Sequence, residues 1–193
     1  MIPGKLITRP DLNNCCHVSY GGQEHAKTES EVLIDTGFSW VPASNGNVPP
    51  RAVIGGKTSD GEPLYVGRAN HYNIITPGKV CASHKCLYLP FNWKENSHTS
   101  YEVLVKNWEN KNEEMMAPNY EFPKIAPSCN SCYTCPLSDA DSESSFDEVA
   151  EPAFQWIHWS PGNSWPQNAI PAGIYKEGGL SKVQYIARRR HNG

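Results

Sequence analysis

The sequence predicts an all-β protein made of two similar antiparallel β repeats, and three observations carry that prediction. Only 38% of its 193 residues are hydrophobic, whereas Gly (15) and Pro (16) are plentiful, a balance that suits short strands joined by turns. Apolar and polar residues alternate in short runs bounded by Pro and Gly, the pattern of antiparallel strands. The stretch Trp40 to Leu104 is also echoed at both ends of the chain, which means that one supersecondary unit occurs more than once.

The first echo lies at the N-terminal end. Residues 2–34 run Pro3-Gly4-Lys5, a Cys-rich apolar segment, Tyr20-Gly21-Gly22-Gln23-Glu24-His25, then Glu31-Val32-Leu33-Ile34. Residues 77–105 follow the same order, with Pro77-Gly78-Lys79, Cys86-Leu87-Tyr88-Leu89-Pro90-Phe91, Lys94-Glu95 and Glu102-Val103-Leu104-Val105. With Tyr20 set on Phe91, Cys15 falls on Cys86. The second echo is C-terminal. Trp40-Val41, Gly46, Val48-Pro49, Ala52-Val53 and Gly56 are matched by Trp156-Ile157, Gly162, Trp165-Pro166, Ala169-Ile170 and Gly173. Tyr65-Val66-Gly67-Arg68 and His71 are matched by Tyr185-Ile186-Ala187-Arg188 and His191.

Residues 36–106 therefore read as a complete repeat. Residues 151–193 are the first half of a second copy and 1–35 its second half, so the two ends of the chain are expected to complete one repeat. Close termini make such closure within one molecule feasible, and it avoids raw sheet edges. The other reading is a piece of a longer array whose half-repeats pair between molecules. Between the copies, 107–150 carries Pro118, Pro123, Pro127, three Cys and an acidic tract, the composition of a linker with little fixed structure.

Charge and composition exclude several function classes. A net charge of −3 gives no field for nucleic acid, and Arg188-Arg189-Arg190-His191 reads as a solvated strand end. No apolar run approaches the roughly 20 residues of a membrane span. The N-terminus lacks the order of a signal peptide, and seven Cys without a sequon point to a reducing, cytoplasmic compartment. Release by a route without a signal peptide stays open.

Little in the chain suggests catalysis. No Gly-x-Ser-x-Gly elbow, Cys–His nucleophile or Gly-x-Gly-x-x-Gly loop is present, so neither an enzyme nor a cofactor is expected. Cys129, Cys132 and Cys135 have metal-like spacing, but a structural zinc site needs a fourth ligand, and free or redox-active thiols are the preferred reading. Cys15, Cys16, Cys81 and Cys86 read as small packed side chains, and the Gly pairs at 21–22, 55–56 and 178–179 as turns or bulges. His71 and His191 recur at equivalent places, which suits a strand end as well as a site. Pro3-Gly4-Lys5 and Pro77-Gly78-Lys79 read as Pro-Gly turns that each present a lysine with three donors. Ser59-Asp60-Gly61-Glu62 reads as a hairpin tip carrying two carboxylates. A lysine that donates and a carboxylate that accepts could together grip vicinal hydroxyls of a sugar.

The ordered set Trp40, Gly46-Asn47-Val48-Pro49, Ala52-Val53, Gly55-Gly56, Asp60-Gly61-Glu62, Leu64 to Ala69, Pro77-Gly78-Lys79 and Tyr101 to Leu104 resembles a complete DM-nine repeat. With both half-repeats the likeness covers about three quarters of the chain. The resemblance implies an all-β, dimeric, mannose-specific lectin of the invertebrate pattern-recognition type, and related repeats occur in natterin-like proteins. It implies two sugar sites, each with a Lys after Pro-Gly, here Lys79 and Lys5, and an Asp past the Ala-x-x-Gly turn. That Asp position holds Thr58 and Tyr175 in this chain. Asp60 is the substitute acceptor in one copy, and Glu177 is the nearest carboxylate in the other. The resulting expectation is a non-enzymatic, metal-independent carbohydrate-binding protein using Lys79, Lys5 and Asp60, with mannose-type glycans as partners. The alternative is a scaffold that keeps the fold without the sugar site.

Overall fold

The computed structural model describes residues 1–7, 14–107, 154–177 and 179–190. The linker from 108 onward, with Cys129, Cys132 and Cys135, lies outside the described residues, as does His191. Among the described residues the regular structure is all strand, and no helix is long and apolar enough to cross a membrane.

The chain opens with β1 (Ile2–Ile7), β2 (Cys15–Tyr20), β3 (Gln23–Lys27) and β4 (Ser30–Ile34). A continuous set follows: β5 (Phe38–Ser44), β6 (Ile54–Lys57), β7 (Pro63–His71), β8 (Ile74–Cys81), β9 (Cys86–Phe91), β10 (Lys94–His98) and β11 (Ser100–Lys106). The last strands are β12 (Gln155–Trp159), β13 (Pro171–Glu177) and β14 (Leu180–Arg189). Together β12–β14 and β1–β4 form a split set whose members match β5–β11 in sequence.

One antiparallel sheet joins them in the order β12-β4-β14-β1-β2-β3-β10-β9-β8-β7-β11-β5, with β13 added on β14 and β6 on β7. Once each strand is replaced by its sequence counterpart, this order reads the same from either end. The registers agree as well: Pro3 faces Arg188 and Lys5 faces Ile186, as Pro77 faces Arg68 and Lys79 faces Val66. The two ends of the chain thus pair within one molecule, β1 with β14 over six residues and β12 with β4 over five.

Three two-residue hairpins have both central residues at positive φ: Gly21-Gly22 (60° and 80°), Tyr72-Asn73 (51° and 61°) and Asn92-Trp93 (51° and 63°). That geometry matches the right-handed twist of the flanking strands. It suits glycine and is costly for a bulky aromatic such as Trp93.

The Pro-Gly pairs are not turns, and here the structure corrects the sequence reading. Pro3-Gly4-Lys5 lies inside β1 and Pro77-Gly78-Lys79 inside β8. Their glycines serve close approach instead: a Cβ on Gly4 would lie 2.1 Å from the His17 carbonyl oxygen, and one on Gly78 2.1 Å from that of Tyr88. Each proline precedes the point where the next ladder begins, at Lys5 with His17 and at Lys79 with Tyr88. The missing N–H is tolerated there. Gly55-Gly56 marks a bulge, as read.

The core has three clusters. The central one brings equivalent residues of the two sets together: Leu33 with Leu104, and Val66 with Ile186. One flanking cluster holds Leu6, Cys16, Val18 and Val32, and the other their counterparts Val80, Leu87, Leu89 and Val103. Cys16, Cys81 and Cys86 are buried as the sequence suggested, whereas Cys15 is only half-buried. Strands far apart in the sheet order also meet. A Cβ on Gly56 would strike the Met1 carbonyl oxygen, and one on Gly173 that of Ile75.

Gly78→Ala should destabilise the protein by about 2–3 kcal/mol, because the added methyl must push β9 away from β8. Chemical denaturation of the purified variant measures this, and a loss below about 0.5 kcal/mol would contradict the close-approach role.

Candidate functional site

Of the sequence candidates, Lys5 and Lys79 each sit in a buried cluster of charged and aromatic groups. Each sits mid-strand and points its ammonium group toward the junction where β3 meets β10. That junction has one registered pair, Lys94 with Gln23, flanked by backbone bonds from Glu24 N to Trp93 O (3.2 Å) and from Glu95 N to Gly22 O (3.1 Å).

At the first site, Lys5 Nζ donates to the Pro90 carbonyl oxygen at 2.6 Å and pairs with Glu24 Oε1 at 3.3 Å. Glu24 Oε1 also lies 2.9 Å from His17 Nδ1, and Glu24 Oε2 accepts the Trp93 N–H at 2.7 Å. The ammonium stands 5.6 Å from the Phe91 ring centre, within range of a cation–π attraction. Lys5 and Glu24 side chains are each only 6% exposed.

The second site repeats this with equivalent residues. Lys79 Nζ donates to the Ser19 carbonyl oxygen at 2.6 Å and pairs with Glu95 Oε1 at 3.0 Å. Glu95 Oε2 accepts the Gly22 N–H at 2.8 Å. The rings of Tyr20 and Tyr88 lie 5.4 and 5.5 Å from the ammonium. Both lysines therefore reach across to a carbonyl of the other set, and both glutamates accept an N–H from it.

The buried charges are balanced locally. Burial lowers the Lys5 pKa from its ordinary value, and the adjacent Glu24 works against that shift. Burial alone would raise the Glu24 carboxyl. The hydrogen bond from His17, the charge of Lys5 and the Trp93 N–H outweigh it and bring the pKa down to about 2. In chemical terms each site offers an ammonium donor beside a carboxylate acceptor, flanked by aromatic rings. Among the described residues, Pro90 O and Glu24 take two of the three Lys5 hydrogens, and Ser19 O and Glu95 two of those on Lys79.

The carboxylates that stand beside the two lysines are Glu24 and Glu95, and Asp60 lies elsewhere. Asp60 stands at the exposed tip between β6 and β7, with Ser59 Oγ 3.5 Å from its carboxylate. Glu62 is engaged elsewhere, accepting Ser83 N at 2.9 Å and Ser83 Oγ at 2.7 Å, which ties this tip to the β8–β9 turn. The glutamates had a signal in the sequence, since Glu24 and Glu95 coincide when Tyr20 is set on Phe91. His71, a weaker candidate, has its Nδ1 3.0 Å from His98 Nε2. No cluster of three metal-ligating side chains occurs among the described residues.

A second repeated constellation is structural. The Arg68 guanidinium lies 4.2 Å from the Trp40 ring and pairs with Glu102 at 2.7 Å. Arg188 does the same with Trp156 (4.3 Å) and Glu31 (2.7 Å). Each arginine fastens an outer strand to its neighbours by stacking and ion pairing together.

Comparison with known proteins gives one family. The model for the DM9 repeat matches residues 1–98, which span β1 to β10 and both lysine sites. No curated protein matches the chain.

A depressed Glu24 pKa has a consequence for acid stability. A carboxylate whose pKa is lower in the folded state contributes stability above its unfolded value, and that contribution is lost as pH falls through the folded value. For Glu24 the window runs from the ordinary 4.5 down to about 2. Glu24→Gln should therefore be less stable at neutral pH and show a flatter decline across this window. Urea unfolding between pH 7 and pH 2 tests it, and an unchanged acid limb would contradict the assignment.

Proposed function

Because the chain belongs to the DM9 repeat family, we propose that it is a non-enzymatic, lectin-like protein that binds mannose-type glycans through two sites, one at Lys5 and one at Lys79. The observation that carries this reading is the repeated pairing of an ammonium donor with a carboxylate acceptor, 3.3 Å apart at Lys5–Glu24 and 3.0 Å at Lys79–Glu95. Two neighbouring sugar hydroxyls need that combination, one accepting from the lysine and one donating to the glutamate. A fixed donor–acceptor pair loses little freedom on binding, so the weak bonds to a sugar are less diluted by ordering. Glu24 and Glu95 take the acceptor role, in place of Asp60.

The two sites differ in their aromatic edge. Where the Lys79 site has Gly22, the Lys5 site has Trp93, 74% exposed and held at a φ of 63°. A bulky residue in that conformation costs of order 1–3 kcal/mol, which is the mark of a position kept for use. Its indole face can cover the apolar side of a pyranose ring while Lys5 and Glu24 hold the hydroxyls. The Lys5 site is accordingly the stronger one. Buried free thiols at Cys16, Cys81 and Cys86 fit a reducing, cytoplasmic setting, where the protein would act as a homodimeric pattern-recognition lectin of innate immunity.

A second reading draws on the near-complete burial of the same charges, 6% exposed for Lys5 and Glu24. On that reading the pairs only fasten the two strand sets, and the protein is a scaffold.

Calorimetric titration with mannose separates the readings. Two unequal sites per chain are expected, with quenching or enhancement of Trp93 fluorescence on filling the stronger one. Trp93→Gly should gain about 1 kcal/mol of stability by relieving the strained φ while weakening the stronger site several-fold. Absence of heat with any mannoside, in a wild-type protein that is folded, would sink the lectin reading and leave the scaffold.

A further inference from the structure

The two strand sets are not equivalent everywhere, and one difference lies at a cleft of about 680 Å³ beside the β3–β4 turn and the end of β14. Its walls include Lys27, Glu29, Ser30, Glu31, Arg189 and Arg190. In the continuous set the position of Arg189 holds Ala69, and that of Ser30 holds Tyr101. Tyr101 fills its site and satisfies itself: its hydroxyl accepts the Gly46 N–H at 2.9 Å and donates to the Asn47 carbonyl at 3.2 Å. In the split set the large ring comes from the facing strand, since Trp159 pairs with Ser30 where Ala43 pairs with Tyr101. A short hydroxyl and a guanidinium are left at the cleft.

Both groups are buried and incompletely bonded. Arg189 is 6% exposed, its Nε donates to the Arg190 carbonyl at 3.2 Å, and among the described residues its Nη1 has no partner, nor does the Oγ of Ser30. Ser30 is 4% exposed. A buried donor left unpaired is destabilising, the more so when the group is charged. Burial lowers the Arg189 pKa, a direction that an anion at the cleft would reverse. The surrounding charge has the matching sign. Glu31 is already taken by Arg188 at 2.7 Å, which leaves Lys27, Arg189 and Arg190 against Glu29.

We propose that this cleft binds a phosphate group, with the Arg189 guanidinium and the Ser30 hydroxyl as the donors at its base and Lys27 and Arg190 as charges at its rim. A guanidinium fork beside a hydroxyl offers parallel donors to the oxygens of one tetrahedral anion. The site occurs once per chain, because Ala69 and Tyr101 remove both donors from the other set. It is independent of the lysine sites and stands whether or not mannose binds.

Inorganic phosphate titrated into the full chain, followed by calorimetry, tests the proposal. One saturable phosphate per chain is expected, with affinity falling roughly tenfold or more in Arg189→Gln and by a smaller factor in Ser30→Ala. Should Arg189→Gln fail to fold, the exposed pair Lys27→Gln with Arg190→Gln supplies the test, with weaker binding and a shallower salt dependence expected. Flotation with phosphatidylcholine vesicles containing phosphatidic acid distinguishes the source. Flotation abolished by Ser30→Ala or the rim pair assigns the site to a lipid phosphate, whereas phosphate binding without flotation assigns it to a soluble ester. No saturable phosphate binding, two phosphates per chain, or an affinity unchanged in folded variants would overturn the proposal.

Discussion

Buried charges that must complete their hydrogen bonds on backbone groups across the junction between the two strand sets govern this molecule. The two strand sets share one registered ladder pair, Lys94 with Gln23, yet four charged side chains cross the junction around it. Lys5 reaches the Pro90 carbonyl and Lys79 the Ser19 carbonyl, while Glu24 and Glu95 take the N–H groups of Trp93 and Gly22. Each ion pair lies within one set, Lys5 with Glu24 and Lys79 with Glu95, but every member makes a further hydrogen bond to the other set, so neither set satisfies these buried groups fully alone. The requirement is mutual, and it fixes the register of β3 against β10 more firmly than one ladder pair could.

Other features follow from the same closeness. Gly4 and Gly78 let a neighbouring carbonyl come within 2.1 Å of where a Cβ would stand, and Gly56 and Gly173 do so for Met1 and Ile75. The central core then joins Leu33 with Leu104 and Val66 with Ile186, equivalent residues meeting at the middle. Where packing is shared in this way, the two sets remain alike. They diverge elsewhere: exposed Trp93 against Gly22, and buried Arg189 against Ala69 and Ser30 against Tyr101. Those substitutions add an exposed ring or an unpaired donor that packing does not require, and they are the positions at which we place ligands.

Much of this was legible in the sequence because repetition carries information that single propensities lack. The echo of Trp40–Leu104 named each strand's counterpart, and the two broken copies foretold that β1 would pair with β14. Lys5 and Lys79 stood out by their shared Pro-Gly context, although the local reading of that context as a turn was wrong. Pro-Gly favours a turn in isolation, but here the chain runs on through it because a neighbouring strand needs the space over the glycine. That Glu95 rather than Asp60 stands beside Lys79 has a related reason. Asp60 was read from a hairpin tip, whereas the carboxylate that meets Lys79 arrives on β10, two strands across the sheet, and the carbonyl that Lys79 binds lies 60 residues away on β2. Contacts between different strands leave little trace in local pattern. The aligned pair Glu24 and Glu95 was the trace available. The cleft at Arg189 was hidden for the opposite cause, since it arises where the repeat is broken and looks like a basic strand end.

The central claim is that the lysine–glutamate pairs serve both as the junction's fastening and as the sugar-binding centres. Nuclear magnetic resonance of the lysine side-chain ammonium groups tests it most directly, because the buried Lys5 and Lys79 protons exchange slowly enough to be followed one by one. The account predicts that these two signals are protected in the free protein and shift together with Trp93 on titration with methyl mannoside, leaving the exposed Lys85 and Lys94 unmoved. Saturation by the sugar with both ammonium signals unchanged would contradict it.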